Sequence, residues 1–421
     1  MKRPSVKAGA LQLTLFIVVV IALLLGAFIL ILYTNKTFKA QTSFTIETIR
    51  NADKGIQHLL QNTNPKKDTV TVPLENPDFK QLKVHTTFWG VFEKLTALAS
   101  IKNKTFAKQA LAGAQQSPTN RFALYLEDHH KPFVVVGDTK IQGTVYVPEQ
   151  GVRTGNISGH SYYREKLIYG ASKTSHQLPK IEADILNQLE KLPKMIQHIS
   201  ADAFLDINKH QTFQNSFHQP TQVIYNQNDI TLIDKTITGN IIIQSETKIT
   251  IDASSTLTDV ILMAPSIQIK NKVQGVFQAV ASENIVVGEE CTLSYPSALI
   301  LDQNNKTSIS DASKDISAIQ IQKGTHIKGI VAYVGRLKNY HAQVFIAPNA
   351  FVTGQVYCSQ NLELLGTVYG TVYTSNFVAH QNGSSYQNHI YNGHILNDSL
   401  PQEYIGLLLE NSKKGVAKWL Y

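Results

Sequence analysis

The sequence predicts a mainly β protein: an N-terminal transmembrane helix with an amphipathic stem, a small β-rich region, then a β-solenoid with a capping helix. Three observations carry this. First, residues 249–266, 267–284 and 285–302 align at a fixed spacing of 18 residues. Each segment opens with two apolar residues one residue apart, Ile249/Ile251, Ile267/Ile269 and Ile285/Val287. A short fixed period built from alternating strand pieces is the signature of stacked coils whose equivalent side chains form ladders. Second, residues 9–33 contain no charged side chain and are almost wholly apolar. Third, charged residues make up only 17% of the chain. That is below the usual quarter, and Asn, Gln, Ser and Thr fill the gap, which suits strands and ladders better than helices.

The apolar run of residues 9–33 follows a basic leader over residues 1–9. About 20 apolar residues span a bilayer. The run is longer than the roughly 7–15 apolar residues of a cleaved signal peptide, and no small-x-small cleavage site ends it. The predicted span is therefore residues 10–33, with the bilayer lipid as its partner. Lys2, Arg3 and Lys7 precede it, and Lys36 and Lys39 follow. The basic leader favours a single pass with a cytoplasmic N-terminus and the rest of the chain outside the cytoplasm. Beyond it, Phe38, Phe44, Ile46, Ile49, Ile56, Leu59 and Leu60 recur at partly helical spacing, so residues 34–63 read as a stem. One long helix from about Ala10 to Gln61 is expected, stopped by Asn64-Pro65.

Residues 68–131 read as short strands and turns, a small β-rich domain. Residues 132–178 offer a first coil, because Gly143-Thr144-Val145-Tyr146 returns as near copies at 354–357, 366–369 and 370–373. The glycine would mark a tight corner and the valine would point inward. Residues 179–200 read as a helix with Ile181, Ile185, Leu189 and Leu192 on one face and a break at Pro193. Such a helix would cap the open end of the solenoid and shield its unpaired edge. Residues 201–228 read as loop, 228–380 as the main solenoid interrupted by a loop at 303–318, and 398–421 as short elements. In the last of these, Leu407, Leu408, Leu409, Trp419 and Leu420 would cap or dock.

The formal charge is +8, or +5 without Lys2, Arg3 and Lys7, and only six arginines occur. So diffuse an excess gives no reason to expect nucleic acid. Cys291 and Cys358 are too few for a disulfide framework, and a small buried thiol in a ladder is the expectation for Cys291. The acids of the three coils, Asp252, Asp259, Glu283, Glu289, Glu290 and Asp302, share no coil position, so they read as solvated corners. His326, His341 and the pair His129-His130 have no metal spacing, and no nucleophile, phosphate-loop or zinc motif occurs. No catalytic residue, metal ligand or cofactor is nominated. Tyr333, Tyr340, Tyr357, Tyr369 and Tyr373 would either line a sugar-binding strip or serve as ordinary strand residues.

The N-terminus resembles type IV minor pilins and the pseudopilins of type II secretion. The resembling residues are Lys2, Arg3 and Lys7, then Gly9, then Ala10-Leu11-Gln12-Leu13-Thr14 running into the apolar span. The stem segment 51–60, NADKGIQHLL, also resembles the pattern that follows the span in minor pilins. The resemblance implies cleavage after Gly9, a mature N-terminus at Ala10 and a helix that packs laterally into a filament. Thr14 stands where major pilins carry Glu, a departure from the major-subunit pattern that a tip-type minor subunit tolerates. The coils separately resemble bacterial solenoids of the bactofilin type through their repeated Gly-x-Val pattern. Together these imply a bacterial inner-membrane protein with a periplasmic or extracellular body. Its expected role is a structural or assembly component of the envelope. Envelope-complex or pilin-like proteins and a glycan are the candidate partners. The competing classes are a β-helix enzyme acting on polysaccharide and a glycan-binding adhesin-like module.

Overall fold

A computed structural model describes residues 8–61, 69–75, 78–117, 121–304, 318–336 and 340–420. Lys2, Arg3, Lys7, the Asn64-Pro65 helix stop and most of the 303–318 loop lie outside the described residues. The chain divides into two compact units. One comprises Met1–Leu59, Pro65–His85 and Thr96–Lys108; the other comprises Leu60–Asn64, Thr86–Leu95 and Gln109–Tyr421.

In the first unit, one helix runs over Ala8–Gln61, 54 residues. At 1.5 Å per residue that is about 80 Å. It is long and apolar enough to cross a membrane by length and composition. Its β-branched run is a poor helix former in water, whereas in lipid the helix satisfies every backbone group internally. The hydroxyls of Thr14, Thr34, Thr37, Thr45 and Thr48 likewise donate to carbonyls one turn back. The C-terminal part of the helix behaves differently. Thr48, Ala52 and Ile56, spaced by four, are buried on one face. Gly55 sits so close to the strands there that a Cβ would meet Ala97 at 2.8 Å and Leu82 at 3.0 Å. Lys80 pairs with Glu47, and Lys108 with Asp53, beside this contact.

Strands Lys80–Trp89, Phe92–Ile101 and Lys104–Gln115 are neighbours in one sheet. Two-residue links join them, which forces them antiparallel. In the second unit, strand Lys414–Leu420 pairs antiparallel with the end of Lys104–Gln115, Lys414 opposite Ala114 and Leu420 opposite Gln109. The expected short terminal elements at 398–421 thus close the sheet, and residues 116–413 are an insertion between two adjacent strands.

The insertion is a sheet of mainly parallel strands that closes on itself. Its strands fall into three columns. In the first, Ile230, Ile249, Ile267, Ile285, Ile319, Val344, Leu362 and Phe377 are successive backbone partners. Ile251, Ile269 and Val287 follow in the same register. A second column runs Ile243, Leu262, Ala279, Leu299, Val331, Val356, Val372, Leu124, Val145. The third includes Leu293, Ile327, Val352, Val368, Ile395 and Ile141. All these side chains are buried in one cluster, each contributing roughly 1.5–3 kcal/mol of apolar burial.

Three expectations need correction. Residues 201–228, expected as loop, carry strands Thr212–Asn215 and Gln222–Asn226, which pair parallel with Thr236–Gly239 and Ile241–Ser245 in the closed sheet. The stacking order is not the chain order. Val372 pairs with Leu124 and Ile395 with Ile141, so residues 124–147 lie beyond the last coil and not before residue 228. The strands that come first in the sequence thus stand at the far side of the sheet from residue 230. The break at Pro193 divides the predicted helix into Ala183–Lys191 and a 3-10 turn, Leu192–His198. Nor does this helix cap an end. Ile181, Ile185, Leu189 and Leu192 cluster with Ile242, Ile261, Val280, Ala298, Ile300 and Ile330, on the outer face of the second column. Alternation explains it: Ile243 points in, so Ile242 points out and needs its own cover.

Glycine matters most at one corner. Gly329, Gly354 and Gly370 are direct partners with φ of +146°, +145° and +156°. A Cβ on Gly354 would stand 2.0 Å from the Gly329 carbonyl oxygen. Only glycine has both the conformation and the space. Gly366 of the overlapping copy 366–369 falls elsewhere, because Thr367 pairs with Phe351.

Candidate functional site: the N-terminal helix and a lateral groove

The nominated processing residues Gly9 and Ala10 lie exposed in the first turns of the long helix. Nothing stands within 4 Å of a Cβ placed on Gly9. From Leu11 to Tyr33 the large apolar side chains are exposed, Leu11 at 71% and Tyr33 at 68%. This surface has no partner within the described residues.

The coil acids do not gather. Asp252 pairs with Lys270 at 3.1 Å, Glu289 with Lys323 at 3.5 Å and Glu290 with Lys272 at 3.7 Å, all at corners. Asp259 instead accepts from Lys418 at 2.6 Å. No group of three His, Cys, Asp or Glu side chains among the described residues could hold a metal ion. Cys291 and Cys358 are free and buried, and burial pushes the Cys358 thiol up to about 12.

A sugar-binding tyrosine strip does not form. Tyr333, Tyr357 and Tyr373 are buried, while Tyr340 is exposed. The Tyr333 hydroxyl donates to Gln303 Oε1 at 3.0 Å, and Tyr357 packs against Tyr373 at 6.2 Å between centroids. Tyr369 stacks on Phe351 at 6.1 Å, and Phe351 on His326 at 4.6 Å. Their ring faces meet one another, so edges are what this ladder presents.

The residues that do converge were not nominated as a site. A groove of about 570 Å³ opens between the Ala183–Lys191 helix with its Pro193 turn and the second column. Gln244, Met263, Val280 and Ile300 are successive backbone partners, and all but Ile300 line it. Asp302 and Gln303 close one side, and Glu190 and Lys194 reach in from the helix. Gln244 is 7% exposed. Its Nε2 donates to the Pro193 carbonyl at 3.0 Å, yet its buried Oε1 has no partner among the described residues. Asp302 Oδ1 accepts the Asn304 amide at 3.0 Å. Burial holds the Asp302 carboxyl above its usual range, and the neighbouring Glu190 adds to the shift. Gln303 is fixed by bonds from Nε2 to the Ser282 and Glu283 carbonyls at 3.3 and 3.4 Å. Of the charged and amide side chains that line it, only Asp302 is singled out by the sequence, beside Leu189 and Pro193 of the helix. The missed signal is the outward-facing apolar row, which demands a covering helix and therefore a seam beside it.

A second buried feature lies near the base of the insertion. Lys414 Nζ meets Glu93 Oε1 at 2.7 Å, with side chains 3% and 2% exposed. Glu93 Oε2 has no partner among the described residues, and burial raises the Glu93 carboxyl despite the opposing Lys414 charge.

No family model matches the chain, and no curated protein matches it. Among solved structures, the competence-associated pilin ComZ from Thermus thermophilus superposes with a TM-score of 0.22 and 9% sequence identity. The match covers 90% of this chain and 96% of that one. A superposition at that score carries no argument about function.

Proposed function

We propose that this is a membrane-anchored, extracytoplasmic assembly protein of the bacterial envelope, in the manner of a pilin-like or secretion-system subunit. The helix anchors and associates laterally, and the inserted sheet, read as a three-sided β-solenoid, presents a binding surface. The observation that carries the reading is the contrast along one helix. Residues 11–33 expose apolar side chains on every side, while Thr48, Ala52 and Ile56 bury one face. A surface apolar all round belongs in lipid or against like helices. The register offsets of 18 residues between Ile249, Ile267 and Ile285, with parallel pairing throughout those strands, support the solenoid.

The test is the mass of the N-terminal peptide of protein purified from native membranes, with alkaline extraction of the same membranes. A peptide beginning at Ala10, in a fraction that resists extraction, fits pilin-like processing and anchoring. Retention of Met1 would sink the processing step and leave a plain signal anchor. Release by alkali would sink the anchor itself.

A further inference from the structure

The groove beside the Ala183–Lys191 helix goes beyond the proposed anchoring role and does not depend on it. We propose that it binds an extended, lysine-bearing segment of a partner polypeptide, the lysine stem over Met263 and Val280 and its ammonium against Asp302, Glu190 and Gln244.

The chemistry of the lining selects this occupant. The floor is apolar, from Met263, Ala264, Val280 and Ala281. The rim carries the carboxyls of Glu190, Glu246 and Asp302 against one cation, Lys194. Glu246 is partly engaged, since the Tyr225 hydroxyl donates to it. An aliphatic stem that ends in a charged head matches an apolar floor with an acidic edge. Gln244 is the independent observation. Its Oε1 is a buried acceptor with no donor among the described residues, a costly state that a ligand donor would relieve. The missing partner is therefore a donor. An ammonium suits the site better than a guanidinium. Asp302 already spends Oδ1 on the Asn304 amide, which spoils the two-oxygen face that a planar fork requires. An ammonium has three donors that rotate to separate acceptors. A sugar is disfavoured because no aromatic ring lines the groove. Length also fits. Gln244, Met263, Val280 and Ile300 span four adjacent strands. Three inter-strand steps come to about 14 Å, or roughly four extended residues.

The test uses full-length protein in detergent and fluorescence anisotropy of a labelled peptide, Gly-Ser-Lys-Ala-Ser. The same peptide with norleucine for lysine is measured alongside, and n-butylamine is the free-amine competitor. The lysine peptide should bind, and norleucine should weaken binding about tenfold, the loss expected of a missing charged contact. Asp302→Asn, which keeps the Asn304 bond, should weaken the lysine peptide by a similar factor, and Gln244→Leu should weaken it further. Asp252→Asn, at a distant corner, should change nothing. Competition by butylamine at millimolar concentration alone supports recognition of the side chain within a peptide. Equal competition per mole would show that a free amine suffices and overturn the polypeptide assignment. Equal binding of the norleucine peptide, no effect of Asp302→Asn, or no binding of the lysine peptide would overturn the proposal. None of these readouts depends on where the N-terminus is cut or whether the helix anchors.

Discussion

The long helix and the inner columns of the closed sheet are built from the same residues and use them in opposite ways. Ile17, Ile21 and Leu24 on the helix are about half exposed or more, whereas Ile249, Ile267 and Ile285 in the first column are fully buried. The columns find their apolar partners within the chain, on the parallel strands to either side. Residues 11–33 find none among the described residues. Composition is thus a poor guide to what an apolar residue does. What decides is whether the other side of the contact is present, and for the helix surface it is absent among the described residues.

The comparison is broken most severely at a glycine. Gly354→Val places a side chain 2.0 Å from a neighbouring carbonyl and at φ +145°. No rotamer relieves a backbone clash, so the protein should fail to fold, giving aggregate and no cooperative melt. Gly26→Val, with nothing within 4 Å of its Cβ, should leave the melt of the body unchanged. Soluble, cooperatively melting Gly354→Val protein would show that the corner can open and that the parallel register is wrong there.

The buried Glu93–Lys414 pair sets the next largest effect. Glu93→Gln leaves an uncompensated ammonium and should cost about 3–5 kcal/mol. Replacing both by methionine should be near neutral. The pH dependence has a definite sign. The folded-state carboxyl lies above its ordinary 4.5, so the folded protein holds the proton longer than the unfolded one. That contribution to stability is complete below the ordinary value and is lost as pH rises through the folded one. Denaturant midpoints between pH 4 and 8 should therefore fall less in the double-methionine variant than in the parent. The opposite ranking would mean that the ion pair outweighs burial.

Ile267→Ala removes the centre of the first column and should destabilise by about 2–5 kcal/mol through lost burial and a cavity. Ile21→Ala should shift the same melt by less than about 0.5 kcal/mol, because an exposed side chain leaves no cavity. Comparable losses at both positions would show that the helix surface is covered within the protein.

What could be read in the sequence divides along physical lines. The 18-residue repeat shows because each coil meets the same environment, so Ile249, Ile267 and Ile285 recur. The apolar helix shows because its composition is almost uniformly apolar over residues 10–33. The order of coils did not show, since pairing Val372 with Leu124 needs a return across the whole insertion that no local pattern encodes. The helix at 183–191 was visible, but its place was not. Ile185 and Leu189 announce a buried face without saying whether an end or a flank buries it. The groove is invisible for the same reason, being a seam between a helix and strands far apart in sequence. Lys414 was hidden too, because its partner Glu93 lies at the other end of the insertion.

Tyr404, whose phenylalanine variant should have the mildest effect on the closed sheet, bears on how the outer face is held. It sits on the segment returning from the last coil toward strand Lys414–Leu420 and is fully enclosed. Its hydroxyl donates to the Gly329 carbonyl at 2.8 Å, and its ring lies against Gly354. Tyr404→Phe keeps the ring and removes only the donor, so the loss should be about 1–2 kcal/mol, the cost of one buried hydrogen bond. Tyr404→Ala should cost about 3–5 kcal/mol, as aromatic truncation does in a packed core. The ratio between the two carries the information. A small phenylalanine effect beside a large alanine effect would mean that the strap is held by packing over the glycine corner. Equal effects would mean that the single hydroxyl bond locks the returning chain, and that the outer face, unlike the inner columns, depends on polar contacts for its register.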